Sequence, residues 1–557
     1  MPVRPRPALP AGQHLAIAAS AVLLLGQAMA ATLQVQATAA EVAPAAEPRL
    51  QVRSFQVQGN TLLDAAQVQA TLAAHTGLRS LAELRQAAQA VQALYGQAGY
   101  AAVVVYLPPQ PAADGVVTLN VVEGRIARVQ VQGNQRLSAA RVRAALPSLA
   151  EGSTPRVRHI DAELQIANEN PGRSMGVLLS PGAAAGEVVA TVQVQEQPLQ
   201  RWSLSLDNSG SPRTGAYRLG LGWQHADLSG HDDLLSLQLQ TSPTEASAVQ
   251  VVSAAYRWPL VRQRAALDLF AAYSDVDGGL QGTAAGDLRF AGRGRVAGAR
   301  VVWYLPRWGE FDQRLTTGLE SRAYLNACSV AGLPDGACGA AGESVSVQPL
   351  TLEYAAQMGG PAPAALNLAL AHNLALGGRH GAAADFEAVR PGATRRYTVL
   401  RASGLYTMAV PEVLQLAGLQ LTGRFALQHT GDRLVPGEQF GLGGAASVRG
   451  YVERELSGDT GVLLSLELSS ARLGESLLPA GTDLRALAFA DAGQVHSLGG
   501  ASCRPNQQRC TLSSLGLGAR LAWGPVQWRF YTAQALQDAS STRRHGWRSH
   551  VALAASF

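Results

Sequence analysis

The sequence predicts small α+β modules followed by an all-β transmembrane barrel of about sixteen antiparallel strands. Charged residues form only 15% of the 557 residues, well below the ~25% that is usual in soluble domains. Glycine is abundant, and no apolar run reaches the ~18 residues of a membrane-spanning helix. A strand-and-turn segment is repeated, as FQVQGN at 55–60 and as VQVQGN at 129–134. A repeat of this kind indicates a duplicated unit in front of the barrel.

The N-terminus has the pattern of a secretory signal. Arginines precede a short apolar stretch at 15–25, and Ala28-Met29-Ala30 fits an A-x-A cleavage site. This order predicts a signal peptide over 1–30 and export of the chain, and the alternative is a disordered tail. The next residues, 31–49, form a short Ala-rich leader that we expect to be flexible.

The first repeat predicts a module over 50–123 with the order β-α-α-β-β. Its first strand ends in the turn residues Gly59 and Asn60, which both tolerate positive φ. Apolar residues recur at helical spacing between Leu81 and Tyr95, and they predict the second helix. The strands are expected at 51–58, 101–107 and 116–122.

The second repeat predicts a module of the same order over 124–197. Gly133 and Asn134 form its turn, and Ser138 is placed to cap a helix that runs to about Leu149. Apolar residues between 157 and 167 mark one face of the next helix. The strands are expected at 126–132, 174–180 and 187–195.

Residues 198–557 alternate between apolar and polar side chains, as Leu235, Leu237 and Leu239 do with their neighbours. Period two places one set on each face of a strand. A soluble sandwich shows the same alternation. Long strands, a polar face that carries Gln, Arg and Glu, and a last strand that ends on Phe557 all favour a membrane barrel. Long links alternate with short ones, and the longest spans about 431–459.

The four cysteines fall into two close pairs, Cys328 with Cys338 and Cys503 with Cys510. Four cysteines allow three pairings, and local pairing within each Gly/Pro/Asn-rich link is the least strained. A four-cysteine metal site is the alternative, but no C-x-x-C spacing supports it.

Six segments together resemble one family. They are FQVQGN, VQVQGN, VVEGRI at 121–126, NENPGR at 168–173, GEQFGLGGAASVRGY at 437–451 and FADAG at 489–493. The chain resembles the outer-membrane transporters of two-partner secretion, whose periplasmic modules are polypeptide-transport-associated (POTRA) domains. The turn residues Gly59, Asn60, Gly133 and Asn134 match the first strand and turn of those modules. The V-R-G-Y loop and the F-x-D-x-G strand are specific in combination.

Phe489, Asp491 and Gly493 share one face of a predicted strand, and a carboxylate on that face needs a partner in the lumen. The resemblance implies that the long link folds inward and that its Val448-Arg449-Gly450-Tyr451 segment supplies Arg449 to Asp491. The alternative is an exposed arginine in a mobile surface loop. Family members often carry an N-terminal plug helix, and the short leader here favours a flexible segment instead.

The resemblance implies a pore that takes an unfolded haemolysin or adhesin from the periplasm to the cell surface. The other expected partners are outer-membrane lipid and the barrel assembly machinery. The alternatives are an outer-membrane assembly factor (insertase) of the same superfamily and a passive porin. A net charge of +5 without a basic block argues against nucleic-acid binding. We find no H-E-x-x-H, G-x-S-x-G or Walker motif, so we expect no enzyme activity, cofactor or metal.

Overall fold

The structure is a computed structural model. It describes residues 49–557 except 112–113, 212–213, 277–279, 284–285, 290–291, 327–339, 341–342, 412–417, 475–477, 501–502 and 505. The signal peptide predicted at 1–30 lies outside the described residues, as does the leader at 31–49 apart from its last residue. Cys328 and Cys338 also lie outside them.

The first module packs two helices on a small sheet. In its three-stranded sheet β2 is parallel to β5, and β4 is antiparallel on the other side of β5. Its elements are β1 (Arg49–Val52), β2 (Ser54–Gln58), α1 (Ala65–Ala73), β3 (Gly77–Ser80), α2 (Leu81–Gln97), β4 (Val103–Tyr106) and β5 (Val116–Glu123).

One feature of the first module differs from the sequence prediction. The strand expected at 51–58 is divided at Arg53, whose amide donates to the Gly115 carbonyl at 2.7 Å. The first part, β1, pairs with β3 instead of joining the main sheet. Residues Gly77–Ser80 have little β-propensity of their own, so this pairing is set by tertiary context. Ser80 and Glu83 form a capping box that starts α2, as such pairs do elsewhere.

The second module repeats the arrangement. Its sheet has the order β6-β8-β7, with β6 parallel to β8. Ser138 caps α3 by accepting from the Arg141 amide at 3.3 Å. That helix ends at Ala144, earlier than the predicted Leu149, because Pro147 disfavours helix in the residue before it. The elements are β6 (Arg125–Gln132), α3 (Ala139–Ala144), α4 (Val157–Asn168), β7 (Arg173–Pro181) and β8 (Glu187–Glu196).

Within the described residues, sixteen antiparallel strands close into a barrel, and the last strand pairs with the first. The chain-terminal Phe557 also exchanges two backbone hydrogen bonds with Trp202, at 2.8 and 3.0 Å. The strands are β9 (Gln200–Asp207), β10 (Arg218–Ala226), β11 (Leu234–Thr241), β12 (Gln250–Leu260), β13 (Ala265–Val276), β16 (Gly292–Trp308), β17 (Phe311–Leu325), β19 (Pro349–Met358), β20 (Ala364–Asn373), β21 (Thr398–Ala409), β22 (Gln420–His429), β25 (Thr460–Ser469), β26 (Thr482–His496), β27 (Arg509–Trp523), β28 (Val526–Ala535) and β29 (Trp547–Ser556).

The alternation read from the sequence is the inside–outside alternation of this barrel. On β26, Phe489, Asp491 and Gly493 are buried, whereas Ala488 and Ala490 are exposed. The strands form one closed sheet, so the soluble sandwich is not the fold. No helix among the described residues is both long and apolar enough to span a membrane.

The links at the two ends of the barrel differ in length. Two residues connect β16 to β17 at the end where the modules join, whereas the link from β22 to β25 at the other end spans 430–459. This inward loop (residues 430–459) contains two short paired strands and returns into the barrel. The remaining elements are β14 (Leu280–Thr283), β15 (Gly286–Arg289), β18 (Val345–Val347), α5 (Ala383–Val389), β23 (Phe440–Leu442) and β24 (Leu456–Gly458). Cys503 and Cys510 form the local disulfide.

Candidate functional site

The centre of the candidate site is an ion pair inside the barrel. Arg449, in the inward loop, is 1% exposed. Its Nε and Nη2 donate to the two carboxylate oxygens of Asp491 on β26, at 2.7 and 2.8 Å, and its backbone amide donates to the same carboxylate at 3.1 Å. A bidentate pair restricts geometry as well as adding energy. The structure thus brings the V-R-G-Y segment and the F-x-D-x-G strand together.

Aromatic rings and a second carboxylate surround the Arg449 guanidinium. Its Cζ lies 3.4 Å from the ring centre of Phe489 and 5.0 Å from that of Tyr531, within cation–π range. Nη1 donates to Glu467 at 3.0 Å, and Glu467 also accepts from Arg520 at 2.6 Å. Two carboxylates and two arginines therefore balance one another, which buried charges require.

Gly450 and Gly493 allow the loop to approach the wall closely. Gly450 has φ of 93°, and a Cβ there would lie 3.2 Å from the Ala533 side chain. A Cβ on Gly493 would lie 2.6 Å from a methyl group of Leu442. Only glycine meets both demands without displacement of a neighbour.

Val448 and Tyr451 anchor the same segment by burial. Both are fully buried in an apolar cluster that includes residues of β23, β26 and β27. The Tyr451 hydroxyl donates to the Ser513 carbonyl at 3.0 Å and accepts from the Gln537 amide at 3.0 Å. All four V-R-G-Y residues therefore contact the wall.

A second anchor joins the inward loop to a distant part of the wall. Glu438 is 1% exposed, and its carboxylate accepts from Arg322 at 2.8 Å, Tyr324 at 2.7 Å and Arg401 at 3.2 Å. Arg322 lies on β17, which five strands separate from β26. Glu438 is part of the quoted GEQF segment, but no local pattern predicts its partners.

A third anchor holds the end of the inward loop to the outer links. The Asp459 carboxylate accepts hydrogen bonds from Nη1 and Nη2 of Arg390, at 2.5 and 2.8 Å. The same carboxylate accepts from the amides of Leu434 and Leu498, at 2.9 and 2.7 Å. The three anchors together hold the inward loop across the lumen.

The repeated Gly-Asn turns have one construction in both modules. Gly59 has φ of 84°, and a Cβ there would lie 2.2 Å from the Val121 carbonyl oxygen; the matching values for Gly133 are 81° and 2.3 Å from the Val194 carbonyl oxygen. The side-chain amide of Asn60 donates to the Leu63 carbonyl at 3.0 Å, and that of Asn134 to the Leu137 carbonyl at 2.7 Å. These four residues therefore shape the turns of the two modules.

A glutamate closes each turn, and the sequence analysis did not single it out. Glu123 accepts from the amides of Thr61 and Leu62, at 2.7 and 2.9 Å. Glu196 accepts from the amides of Gln135, Arg136 and Leu137, the last at 2.8 Å. Burial alone would raise the pKa of Glu123, but hydrogen bonds from the hydroxyl and amide of Thr61 outweigh it and lower that pKa. For Glu196, amide donors likewise outweigh burial and lower the pKa.

We expect the modules to lose stability as the pH falls below the usual glutamate pKa of 4.5. A pKa that is lower in the folded state means that the stabilisation is present above the unfolded value and is lost as the pH falls through the folded value. The free energy of unfolding of residues 49–197 is measured by urea unfolding, monitored by circular dichroism, between about pH 6 and about pH 3.5. In the double variant Glu123→Gln, Glu196→Gln this free energy should depend less on pH than in the wild type. Identical pH dependence in the two proteins would show that the two glutamates are not its cause.

The NENPGR segment forms the junction between the second module and the barrel. Glu169 accepts from Arg257 on β12 and from Arg314 on β17, the latter at 2.9 Å. Arg173 donates to Asp232, in the turn between β10 and β11, at 2.5 Å. The motif is therefore a rim contact that orients the module at the pore mouth.

Asp232→Asn is expected to loosen this junction. Asp232 also accepts from Arg141 at 2.9 Å, so the change weakens two charge-assisted bonds of about 1.5–3 kcal/mol each. The distribution of distances between spin labels on the second module and on the short barrel turns should broaden. Asp483→Asn is the matched control, because Asp483 pairs with two arginines on the barrel. Equal distributions in both variants would show that Asp232 does not hold the module.

The second module has two free sheet edges, β6 and β7, and they differ in how they are covered. On β6, Arg143 donates to the Val129 carbonyl at 2.8 Å, and Glu151 accepts from the Val129 amide at 3.4 Å. On β7, the Asn168 side chain is hydrogen-bonded to both the amide and the carbonyl of Met175. Because the backbone groups of every second residue point to the same side of an antiparallel strand, those of Val177 also point toward this open side. Among the described residues, none donates to or accepts from the backbone groups of Val177 on that side. Beside it, Leu178 is 57% exposed.

No group of three or more His, Cys, Asp or Glu among the described residues is arranged to hold a metal ion.

A family profile described as haemolysin secretion/activation protein ShlB/FhaC/HecB matches residues 186–521, and one described as POTRA domain, ShlB-type, matches residues 50–124.

Curated relatives and solved structures show the same likeness. The chain is 26% identical to outer membrane transporter CdiB of Escherichia coli over 465 residues, which cover 81% of this chain and 73% of that protein. It is 27% identical to heme/hemopexin transporter protein HuxB of Haemophilus influenzae, but over only 29% of each chain. The structure of CdiB from Escherichia coli superposes with a TM-score of 0.75 at 21% identity and covers 93% of both chains, which shows a shared fold.

Proposed function

Because the chain belongs to the haemolysin secretion/activation family ShlB/FhaC/HecB, whose profile covers more than half of it, we propose that it exports an unfolded partner protein across the outer membrane. The barrel lies in the bacterial outer membrane, with its POTRA modules in the periplasm. The proposed partner is a large secreted protein of the haemolysin or adhesin kind. The observation that carries the proposal is the inward loop, held inside a polar lumen by Arg449 and Asp491.

The proposed passage is the lumen beside the inward loop. Lumen-facing side chains include the charged groups that pair with the loop and others such as Arg424 and Glu353 on β22 and β19. A polar wall suits an extended chain whose backbone must stay solvated. The three anchors would determine how much of the passage the loop leaves open. The proposed role is transport alone, with no catalytic step.

The proposed docking position in the periplasm is the open edge of β7. An extended segment can add there as a further strand, with main-chain hydrogen bonds to the outward backbone groups of Val177. Leu178 is exposed beside this edge. The NENPGR junction would keep β7 at a defined position relative to the pore mouth. Insertion into the membrane would depend on the barrel assembly machinery.

The direct test compares culture supernatants of cells with and without this gene. We expect one large exoprotein to disappear from the medium while other outer-membrane proteins keep their amounts. A general fall in outer-membrane proteins would instead indicate an insertase. No change in the supernatant, together with loss of small-solute uptake, would indicate a passive porin.

Val177→Pro is expected to slow export by about tenfold. Proline removes the outward amide of Val177 and opposes strand addition there, and each lost tenfold corresponds to about 1.4 kcal/mol of docking free energy. Secreted partner per barrel, measured by immunoblot, reports the effect. Val177→Ala is the matched control, because it keeps the amide and shortens the side chain. Equal export by both variants would exclude this edge.

A further inference from the structure

A groove crosses the outer, lipid-facing surface of the barrel. It follows a row of register partners that runs from Trp202 on β9 through Leu237 and Ala254 to Ala297 and Ser321 on β17. The row spans seven strands, or about 29 Å at ~4.8 Å per spacing. The groove encloses about 770 Å³.

Side-chain size produces the groove. Its floor is made of small outward-facing residues, namely Ala254, Ala271, Ala297, Ser321 and Ala323. Bulky exposed side chains flank this floor. Leu237 and Leu239 lie on β11, and Leu269 on β13 and Leu319 on β17 lie toward the module-bearing end. A depression of one side-chain depth therefore lies among leucines that stand in the hydrocarbon of the membrane.

A cation stands at one end of the groove. Arg295, on β16, faces outward beside Tyr273 and Ala323 and is exposed. No ion pair to Arg295 is found among the residues that the structure describes, whereas Arg293, two residues away, pairs with Asp275 at 3.0 Å. Arg295 therefore offers an exposed guanidinium at this end of the groove.

The height of Arg295 matches the outer headgroup layer. The exposed Trp303 on the same strand lies nearer the module-bearing end and belongs to the interfacial aromatic type. Eight residues separate it from Arg295, which is about 26 Å along the strand and about 20 Å along the membrane normal at a tilt of ~40°. The apolar band of such barrels is ~25 Å tall, so the backbone of Arg295 lies about 5 Å inside the outer boundary, and its long side chain reaches that boundary by snorkelling.

We propose that this groove binds lipopolysaccharide of the outer leaflet. A lipid A phosphate would pair with the Arg295 guanidinium, which suits phosphate geometry. One acyl chain would lie over Ala297 and Ala271, where small side chains leave room for it. Basic groups beside apolar grooves recognise anionic headgroups in other membrane proteins. The site lies on the lipid face and is separate from the transport path in the lumen.

Native mass spectrometry of the purified full-length chain in detergent tests the site. The probes are Kdo2-lipid A and phosphatidylglycerol, each titrated separately. We expect wild-type protein to retain one lipid A, and Arg295→Ser and Ala297→Phe each to lower the apparent affinity by about tenfold. Ala490→Phe, a lipid-facing change on β26 away from the groove, should leave it unchanged. Heat-modifiable migration confirms that each variant has a folded barrel.

Three outcomes would overturn the proposal. Lipid A affinity that is equal in wild type, Arg295→Ser and Ala297→Phe would show that the groove is ordinary annular surface. Loss in Arg295→Ser but not in Ala297→Phe would remove the acyl-chain position. Equal binding of phosphatidylglycerol with the same dependence on Arg295 would exclude lipopolysaccharide as the specific ligand.

Discussion

Arg449→Ala is expected to reduce export of the partner by at least about tenfold while the barrel still assembles. The change leaves Asp491 and Glu467 buried, with Arg520 as the one paired cation among the described residues. Breaking a buried pair by removing one partner costs ~3–5 kcal/mol, which shifts the ratio of held to released loop by about two to four orders of magnitude. A released loop would also leave more of the lumen open, so ionic conductance in planar bilayers should rise.

Arg424→Ala is the matched control for this prediction. Arg424 is a lumen-facing arginine on β22 whose Nη2 donates to Ser465 at 3.3 Å, and it lies outside the inward loop. Its removal should leave both export and conductance close to wild type. Wild-type export by Arg449→Ala, with normal heat-modifiable migration, would show that the Arg449–Asp491 contact has no role in transport.

The barrel could be predicted because its signal is local. Alternation with period two needs only neighbouring residues, so the shared face of Phe489, Asp491 and Gly493 follows from their spacing. The same holds for the cap at Ser138, which depends on three residues of chain. The length of that helix did not follow, because Pro147 outweighs an apolar pattern that continues to Leu149.

The anchors of the inward loop could not be predicted in the same way. Arg322 and Arg401 lie 116 and 37 residues from Glu438, and their contact depends on how the closed barrel brings β17 and β21 toward the loop. The NENPGR segment was recognised only as a resemblance for the same reason, since its partners Arg257 and Asp232 lie on the barrel rim.

The contacts of Glu123 and Glu196 with the repeated turns could be predicted in part. Thr61 and Glu123 are 62 residues apart, and Gln135 and Glu196 are 61 apart. Alignment of the two repeats on their Gly-Asn turns therefore places a glutamate at nearly the same distance in both. This duplicated spacing was a usable signal, because a carboxylate that recurs after a turn is a natural acceptor for the unpaired amides of that turn.

Glu438→Gln is expected to raise the conductance of the pore and to reduce export by several-fold. Among the residues that the structure describes, the neutral amide leaves Arg401 without a paired carboxylate, and Arg322 paired only with Glu320. Two partly buried cations then repel each other near the loop, and removal of the buried Glu438 carboxylate costs up to ~3–5 kcal/mol, as for one partner of a buried pair. The effect should be smaller than that of Arg449→Ala, because the V-R-G-Y segment still holds the loop to β26.

Two further variants decide whether Glu438 acts through the inward loop. They are Glu353→Gln and the double variant Glu438→Gln, Arg449→Ala. Glu353 is a lumen-facing carboxylate on β19 that accepts from Asn367 and lies outside the loop, so its change should leave conductance near wild type. If both anchors restrain one loop, Glu438→Gln combined with Arg449→Ala should change conductance by an amount that differs from the sum of the single effects, as coupled sites do. Strict additivity would show that Glu438 and Arg449 restrain separate elements, because independent sites add.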